Sequence, residues 1–307
     1  MALRHFATSP WVRVGISLLW RGFTLMDALH GQPRSLASLL TSRIVWHWAT
    51  LYTTLFLAAL LLYQLLPISR TYRHDLSWPE RAEWISRVVS NVNAVLMTVV
   101  SAALVFQEQA LFTAATRRAD ALDHPDIYFS SQAALLGYFV YDSLLVLLLF
   151  RSISSPLSTL LHHGSSAAAV LFCFQQGPSR PLAVYWAAAI TVTEASTPLV
   201  NARWFLSFRH RHSPLYTAVG LSMLLSFLLM RVLYIPYVVL RMVEHRERIL
   251  RGYDVPSAFV LGMAGGAASF ALLALNLYWT GLMIRGAVKL LRASGDAARR
   301  KQGDKVE

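Results

Sequence analysis

Several side chains in this sequence carry chemistry in places where an apolar chain should have none. Asp142, the adjacent pair His162 and His163, Glu194 and Arg231 all sit inside long apolar runs, with Arg87 at the edge of another and Asn93 a neutral companion within it. An ionisable group inside a membrane span costs several kcal/mol unless it faces a protein interior or trapped water, so each position marks a candidate site. A neutral imidazole can act as a general base toward a hydroxyl or amine, or accept an acyl group itself. Either role needs a partner that fixes the ring tautomer, and Asp142 or Glu194 could supply it. Neighbouring side chains on a helix point about 100° apart. His162 and His163 are therefore expected to differ in role, one lining a cavity and one supporting it, in an order the sequence leaves open. Plainer roles compete with these: Arg87 could snorkel to headgroups, and Asp142 and Arg231 could pair helices structurally.

The elements that must position these groups follow from the apolar runs. Of 307 residues, 55% are hydrophobic and only 14% charged, against about 25% charged in a soluble globule. Mean hydropathy is +0.45. Charge-free runs cover Ile44–Ser69, Val88–Gln107, Ser152–Ser179 and Val255–Ile284. Three more hold one charge each: Ile127–Phe150 with Asp142, Pro181–Ala202 with Glu194, and His212–Leu240 with Arg231. A spanning helix needs about 20 mainly apolar residues. The spacing predicts an all-α membrane protein of about seven transmembrane helices, near 44–66, 86–108, 132–150, 157–175, 181–200, 214–240 and 257–284. Turn chemistry marks the connections at Pro67, Trp78-Pro79, His124-Pro125, Gly177-Pro178, Ser213-Pro214 and Val255-Pro256. Pro198, following Ser196 and Thr197, should bend or unwind the fifth span. Residues 1–43 read as an amino-terminal segment with Trp11–His30 as an interfacial amphipathic helix, or as a transit peptide. Residues 44–79 form the first span and its loop, and 291–307 a basic polar tail.

Depth within the spans favours one shared pocket. Measured from the face on which the carboxyl terminus lies, His162, Glu194, Asn93 and Asp142 fall roughly 8–12 Å deep at about 1.5 Å per residue. Arg87 lies near the mouth and Arg231 deeper. If their helices form one bundle, these groups can line a single cavity open to that face.

Charge and cysteine content exclude other classes. Cys173 is the only cysteine, so an internal disulfide, a cysteine-based metal centre and the disulfide common in seven-helix receptors cannot form. No metal-ligand pattern stands out, and the clustered histidines of di-iron desaturases are missing. The net charge of +12 would suggest nucleic acid in a soluble chain; here the basic residues flank spans and meet headgroups, and no nucleic-acid partner is expected. Basic residues divide almost evenly between the two faces. All three lysines, Lys289, Lys301 and Lys305, follow the last span, which favours a cytosolic carboxyl terminus. The run GMAGG at Gly262–Gly266 reads as a small-residue packing seam. A proton-coupled transporter or channel, with Asp142, Glu194 and Arg231 as a relay, is the rival reading from another class.

In order along the chain, WISR at Trp84–Arg87 leading to Ser90, GYFVYD at Gly137–Asp142, His162-His163, EASTP at Glu194–Pro198 and NARW at Asn201–Trp204 resemble the TLC domain. Ceramide synthases and the translocating-chain-associated membrane protein share that domain. The resemblance covers roughly residues 80–290 and is nearest the small branch similar to transmembrane protein fifty-six. Ceramide synthases carry an HDxxD acidic pair after the double histidine. Here Glu194 stands in that neighbourhood, Pro198 occupies the region of the second acid, and Asn93 replaces a histidine found in many relatives. The resemblance implies six helices in a barrel around a polar cavity, preceded by one further span. It implies residence in the endoplasmic reticulum or a related endomembrane, and a role in sphingolipid or phospholipid acyl-chain metabolism or homeostasis. Two forms of that role follow: N-acyl transfer, or a non-catalytic lipid sensor. No bound cofactor is implied; long-chain acyl-CoA would be the co-substrate and a sphingoid base the acceptor, with membrane lipids and a second copy in a homodimer as partners. His162 and His163 would carry the chemistry and Asp142 and Glu194 would orient them. Arg87, Asn93, Tyr138, Asn201, Arg203 and Arg231 would bind substrate, Arg87 or Arg203 attracting the anionic cofactor.

Overall fold

A computed structural model describes residues 43–113, 125–153, 155–175, 181–244 and 255–303; the expected amino-terminal amphipathic helix lies outside them. In hydrocarbon every backbone N–H and C=O must be satisfied within the chain, which is why these apolar runs become helices. In order they are α1 (Arg43–Leu65), α2 (Arg70–His74), α3 (Trp78–Thr113), α4 (Pro125–Leu148), α5 (Pro156–Gln175), α6 (Pro181–Thr191), α7 (Thr197–Leu206), α8 (Pro214–Phe227), α9 (Tyr234–Glu244) and α10 (Val255–Gly303). A 3-10 turn, Val192–Ser196, joins α6 to α7, and a π-helical turn, Leu228–Leu233, joins α8 to α9.

Helical segments occupy all seven expected positions. Among the described residues, five stretches are long and apolar enough to cross a membrane: Arg43–Leu65, Trp78–Val105, Ser130–Leu148, Pro214–Arg241 and Gly266–Lys289. The fifth segment is broken at Val192–Ser196.

Proline marks starts more than turns here. Trp78-Pro79, expected in a loop, opens α3 eight residues before the expected boundary, because Pro fits a first turn whose N–H groups have no helical partner. Ser77 and Glu80 fix that start: the Glu80 carboxylate accepts from the Ser77 N–H at 2.8 Å and its hydroxyl at 2.7 Å. Ser213 likewise caps α8, accepting from the Tyr216 N–H at 3.1 Å ahead of Pro214. The segment expected as a polar tail continues as helix to Gly303.

Packing runs in a circuit: α3 lies on α4, α4 on α5, α5 on α10, α10 on α8, α8 on α7, and α7 returns to α3. α1 packs outside this circuit along α4. The core joins Tyr52 of α1 to Met97 and Val100 of α3 and to Ala134 and Tyr138 of α4. A second cluster, Tyr72, Trp84, Phe205 and Phe208, ties α2 and the start of α3 to the end of α7. Outward positions stay apolar, Leu148 and Phe270 being 81% and 75% exposed, as a surface meeting lipid requires. At the expected GMAGG seam, Met263 and Gly266 are exposed, and a Cβ on Gly266 would meet no neighbour. Gly266 therefore borders open space instead of a packed helix.

Candidate functional site

A cavity of about 420 Å³ lies inside the circuit. The first turns of α3, the second half of α4, the α4–α5 connection and the start of α5 form one end of its wall, with α7, the π turn and α10 completing it. Ile153 and Ser155 of the connection reach it, so it sits toward the face that depth along the spans had singled out. His162, His163, Asp142, Glu194, Arg87, Tyr138, Asn201 and Arg231 all line it.

Two expected members lie elsewhere. Asn93 is buried in the core, where its Oδ1 accepts from the Tyr52 hydroxyl at 2.9 Å. The Arg203 guanidinium covers the ring of Tyr216, 3.1 Å from its centroid, outside the cavity lining.

Local irregularities aim the remaining groups. Pro198 has no N–H to return to Glu194, and the Thr197 N–H bonds the Glu194 carbonyl in 3-10 fashion, so the expected break in the fifth segment is present. The turn presents Glu194 to the cavity. Opposite it, the π turn inserts one extra residue per helical ring and turns Arg231 inward. Arg231 donates to Glu194 Oε1 at 3.0 Å, to Ser196 Oγ at 2.9 Å and to Thr197 Oγ1 at 2.9 Å. Thr197 in turn donates to Glu194 Oε2 at 2.7 Å. Glu194 is thereby held by Arg231 and Thr197.

Asp142 is the carboxylate beside the histidines. Ser86 donates to its Oδ1 at 2.8 Å, and its Oδ2 lies 3.7 Å from His163 Nε2. On the other side of that ring, His163 Nδ1 is 3.4 Å from Ser143 Oγ. Tyr138 meets the His163 ring edge-on, 6.0 Å between centroids. His162 differs: its ring packs edge-on against Trp279 at 5.4 Å, and its buried Nδ1 has no hydrogen-bond partner among the described residues. Both rings line the cavity but their surroundings differ: His163 is flanked by Asp142 and Ser143, and His162 Nδ1 has no hydrogen-bond partner among the described residues.

Arg87 is similarly engaged. It donates to Glu83 Oε1 at 3.1 and 2.7 Å and to Asn201 Oδ1 at 3.0 Å, and lies 4.4 Å from the Trp204 ring centre. Asn201 donates onward to Asn91 Oδ1 at 2.7 Å. The lining thus holds three carboxylates, Glu83, Asp142 and Glu194, against two guanidinium groups. Among the described residues, Asp142 is the lining carboxyl group that has no arginine partner.

Sequence reasoning passed over Glu83, Ser86, Asn276 and Trp279. The first two share a helical face with Arg87 and Ser90, a polar i, i+3, i+4, i+7 pattern that could have marked them. Asn276, an isolated amide in the last apolar run, is as conspicuous as Asn93; it lines a small space of about 50 Å³ behind His162.

The TLC domain family matches residues 83–285. TLC domain-containing protein 4 of Xenopus tropicalis is 26% identical over 240 residues, covering 76% of this chain and 85% of that protein. The 4-B protein of Danio rerio is 26% identical over 216 residues (68% and 75%), and the Homo sapiens protein 4 is 22% identical over 222 residues (71% and 79%). No solved structure matches.

Proposed function

The chain belongs to the TLC domain family and is an integral membrane protein of that lipid-related group, and from this footing we propose that its cavity binds lipid acyl chains and that the histidine pair supports acyl transfer to an amine or hydroxyl. The observation that carries the reading is the unequal environment of the two imidazoles. His163 is set between Asp142 and Ser143, while His162 keeps a buried nitrogen without a partner among the described residues, in a cavity of about 420 Å³. A base so placed takes the proton of an attacking amine as its nitrogen bonds to a thioester carbonyl carbon. The carbon–sulfur bond then breaks, and the same proton passes to the departing thiolate. Long-chain acyl-CoA and a sphingoid base are the substrates that suit this chemistry, in the endoplasmic reticulum or a related membrane with the carboxyl terminus in the cytosol.

One observation favours a second reading, a non-catalytic sensor of membrane lipid. Among the described residues both cavity arginines are already engaged, Arg87 by Glu83 and Arg231 by Glu194, so the described lining offers an anionic cofactor no uncommitted guanidinium. Purified protein incubated with palmitoyl-CoA and sphinganine, wild type beside His162→Ala and His163→Ala, separates the two. Histidine-dependent N-acyl product, or an acyl adduct on either ring by intact mass, supports transfer. Lipid binding without either supports the sensor.

A further inference from the structure

A second opening reaches the histidine pair from outside the circuit. α1 and α5 both pack on α4, and between them runs a groove of about 240 Å³. Its walls are apolar: Val45 and Trp46 of α1, Leu136 and Val140 of α4, Ala167 and Leu171 of α5. Polar groups occur at one end only, where Ser143 and His163 stand. Phe139 and His163 line the cavity as well, so the imidazole is a wall common to both spaces. Its Nε2 edge is 3.7 Å from Asp142, which lines the cavity, and its Nδ1 edge is 3.4 Å from Ser143, which lines the groove.

From His163 the groove runs away from the α4–α5 connection, toward Trp46 near the start of α1 and Leu171 near the end of α5. Small residues keep it open: Gly164 lies on its edge, and a Cβ there would meet nothing within 4 Å. The space behind His162 inside the circuit is much smaller, about 50 Å³ among Trp186, Ile235 and Leu272. It has room for water-sized groups and not for a long alkyl chain. Beyond the charged cavity itself, the groove is therefore the roomier of these two spaces for a long tail attached to a group at the histidines, and it leads sideways.

Resting on the acyl-chain reading above, we infer that the groove between α1 and α5 takes the hydrocarbon tail of a single-chain lipid whose polar end lies at His163 and Ser143, and that the protein does not measure the length of that tail. The walls select the occupant. An extended peptide laid there would leave its backbone polar groups facing apolar side chains, whereas an alkyl chain has none to satisfy. The open side removes the ruler: carbons beyond Leu171 meet bilayer whether the lipid is bound or free, so they add no net burial.

The test uses the full-length protein in lipid nanodiscs with hexadecanol carrying a mid-chain diazirine and a terminal alkyne. Crosslinks are expected in the stretches Leu136–Val140 and Gly164–Leu171. Gly164→Phe, which fills the groove, should lower them by about fivefold or more, with Ala167→Phe as a second filler if the first folds poorly. Gly266→Phe, in open space on α10, should leave them unchanged. Unlabelled hexadecanol and tetracosanol should compete within about twofold of each other. Labelling spread evenly over the outward helices and indifferent to the fillers would mean annular lipid only and would overturn the inference. So would crosslinks from the groove to residues 1–42 or to a second copy, or a sharp loss of competition in the longer alcohol. Groove labelling that persists where acyl transfer is undetectable would sink the enzymatic reading and leave the groove assignment standing.

Discussion

Arg231 and Glu194 meet at 3.0 Å across two departures from α-helical geometry, the π turn that carries the arginine and the 3-10 turn that carries the acid. Each turn leaves an otherwise regular helix locally irregular, and the ion pair with its Ser196 and Thr197 bonds joins them through the membrane interior. Removing one member of such a pair strands the other charge in a poor solvent. Arg231→Met should therefore destabilise the protein by about 3–5 kcal/mol, and adding Glu194→Gln should restore most of it. Thermal unfolding of the single and double variants in detergent checks this; equal loss in both would refute a pairing role.

Ser86 donates to one oxygen of Asp142, and the other oxygen lies 3.7 Å from His163 Nε2. Ser86→Ala should slow any acyl transfer by roughly five- to tenfold, the scale of one hydrogen bond of about 1–1.5 kcal/mol, and Asp142→Asn should cost more. Nitrogen NMR of labelled histidine gives a readout that activity does not: Asp142→Asn should change the tautomer signal of His163 and leave that of His162 in place.

Helix packing at the first span can be tested through one glycine. A Cβ on Gly137 would lie 2.5 Å from Trp48 Cβ and 2.9 Å from both the Ala49 nitrogen and the Val45 oxygen. Backbone atoms cannot step aside, so Gly137→Ala should force α1 off α4 at about 1–3 kcal/mol. Gly281→Ala meets open space within α10 and should stabilise that helix by roughly 0.5–1 kcal/mol. Melting temperatures moving in opposite directions would bear this out.

At the membrane edge, Asp75 accepts twice from Arg209. Those bonds hold the Asp75 carboxyl below its usual range, and the carboxylate in return keeps Arg209 more firmly protonated. A depressed carboxyl contributes stability above its unfolded value, and that contribution disappears as pH falls through the folded one. The gap in melting temperature between wild type and Asp75→Asn should be small at neutral pH, shrink in high salt because the pair is exposed, and fall away progressively on acidification below the ordinary aspartate range of about 3.9. A gap that widened on acidification would contradict the assignment.

Some of this was written in the chain itself. The apolar runs determined where helices form, because hydrocarbon admits no other way to satisfy their backbones. The isolated Asp142, His162, His163, Glu194 and Arg231 marked the cavity lining for the same reason, and Pro198 announced the broken fifth segment by its missing N–H. Partner choice was not legible. Glu194 looked as suitable as Asp142 for the histidines, yet it faces Arg231; Arg87 looked free for an anion, yet Glu83 holds it; Asn93 looked like a cavity group, yet it serves Tyr52. Which neighbour a side chain meets depends on the rotation and offset of each helix about its own axis. The π turn sets these for Arg231 and the Ser77–Glu80 cap helps set them for Arg87. The lateral groove belongs to the same class: its residues are ordinary apolar ones, and it exists only because α1 and α5 lean on α4 side by side.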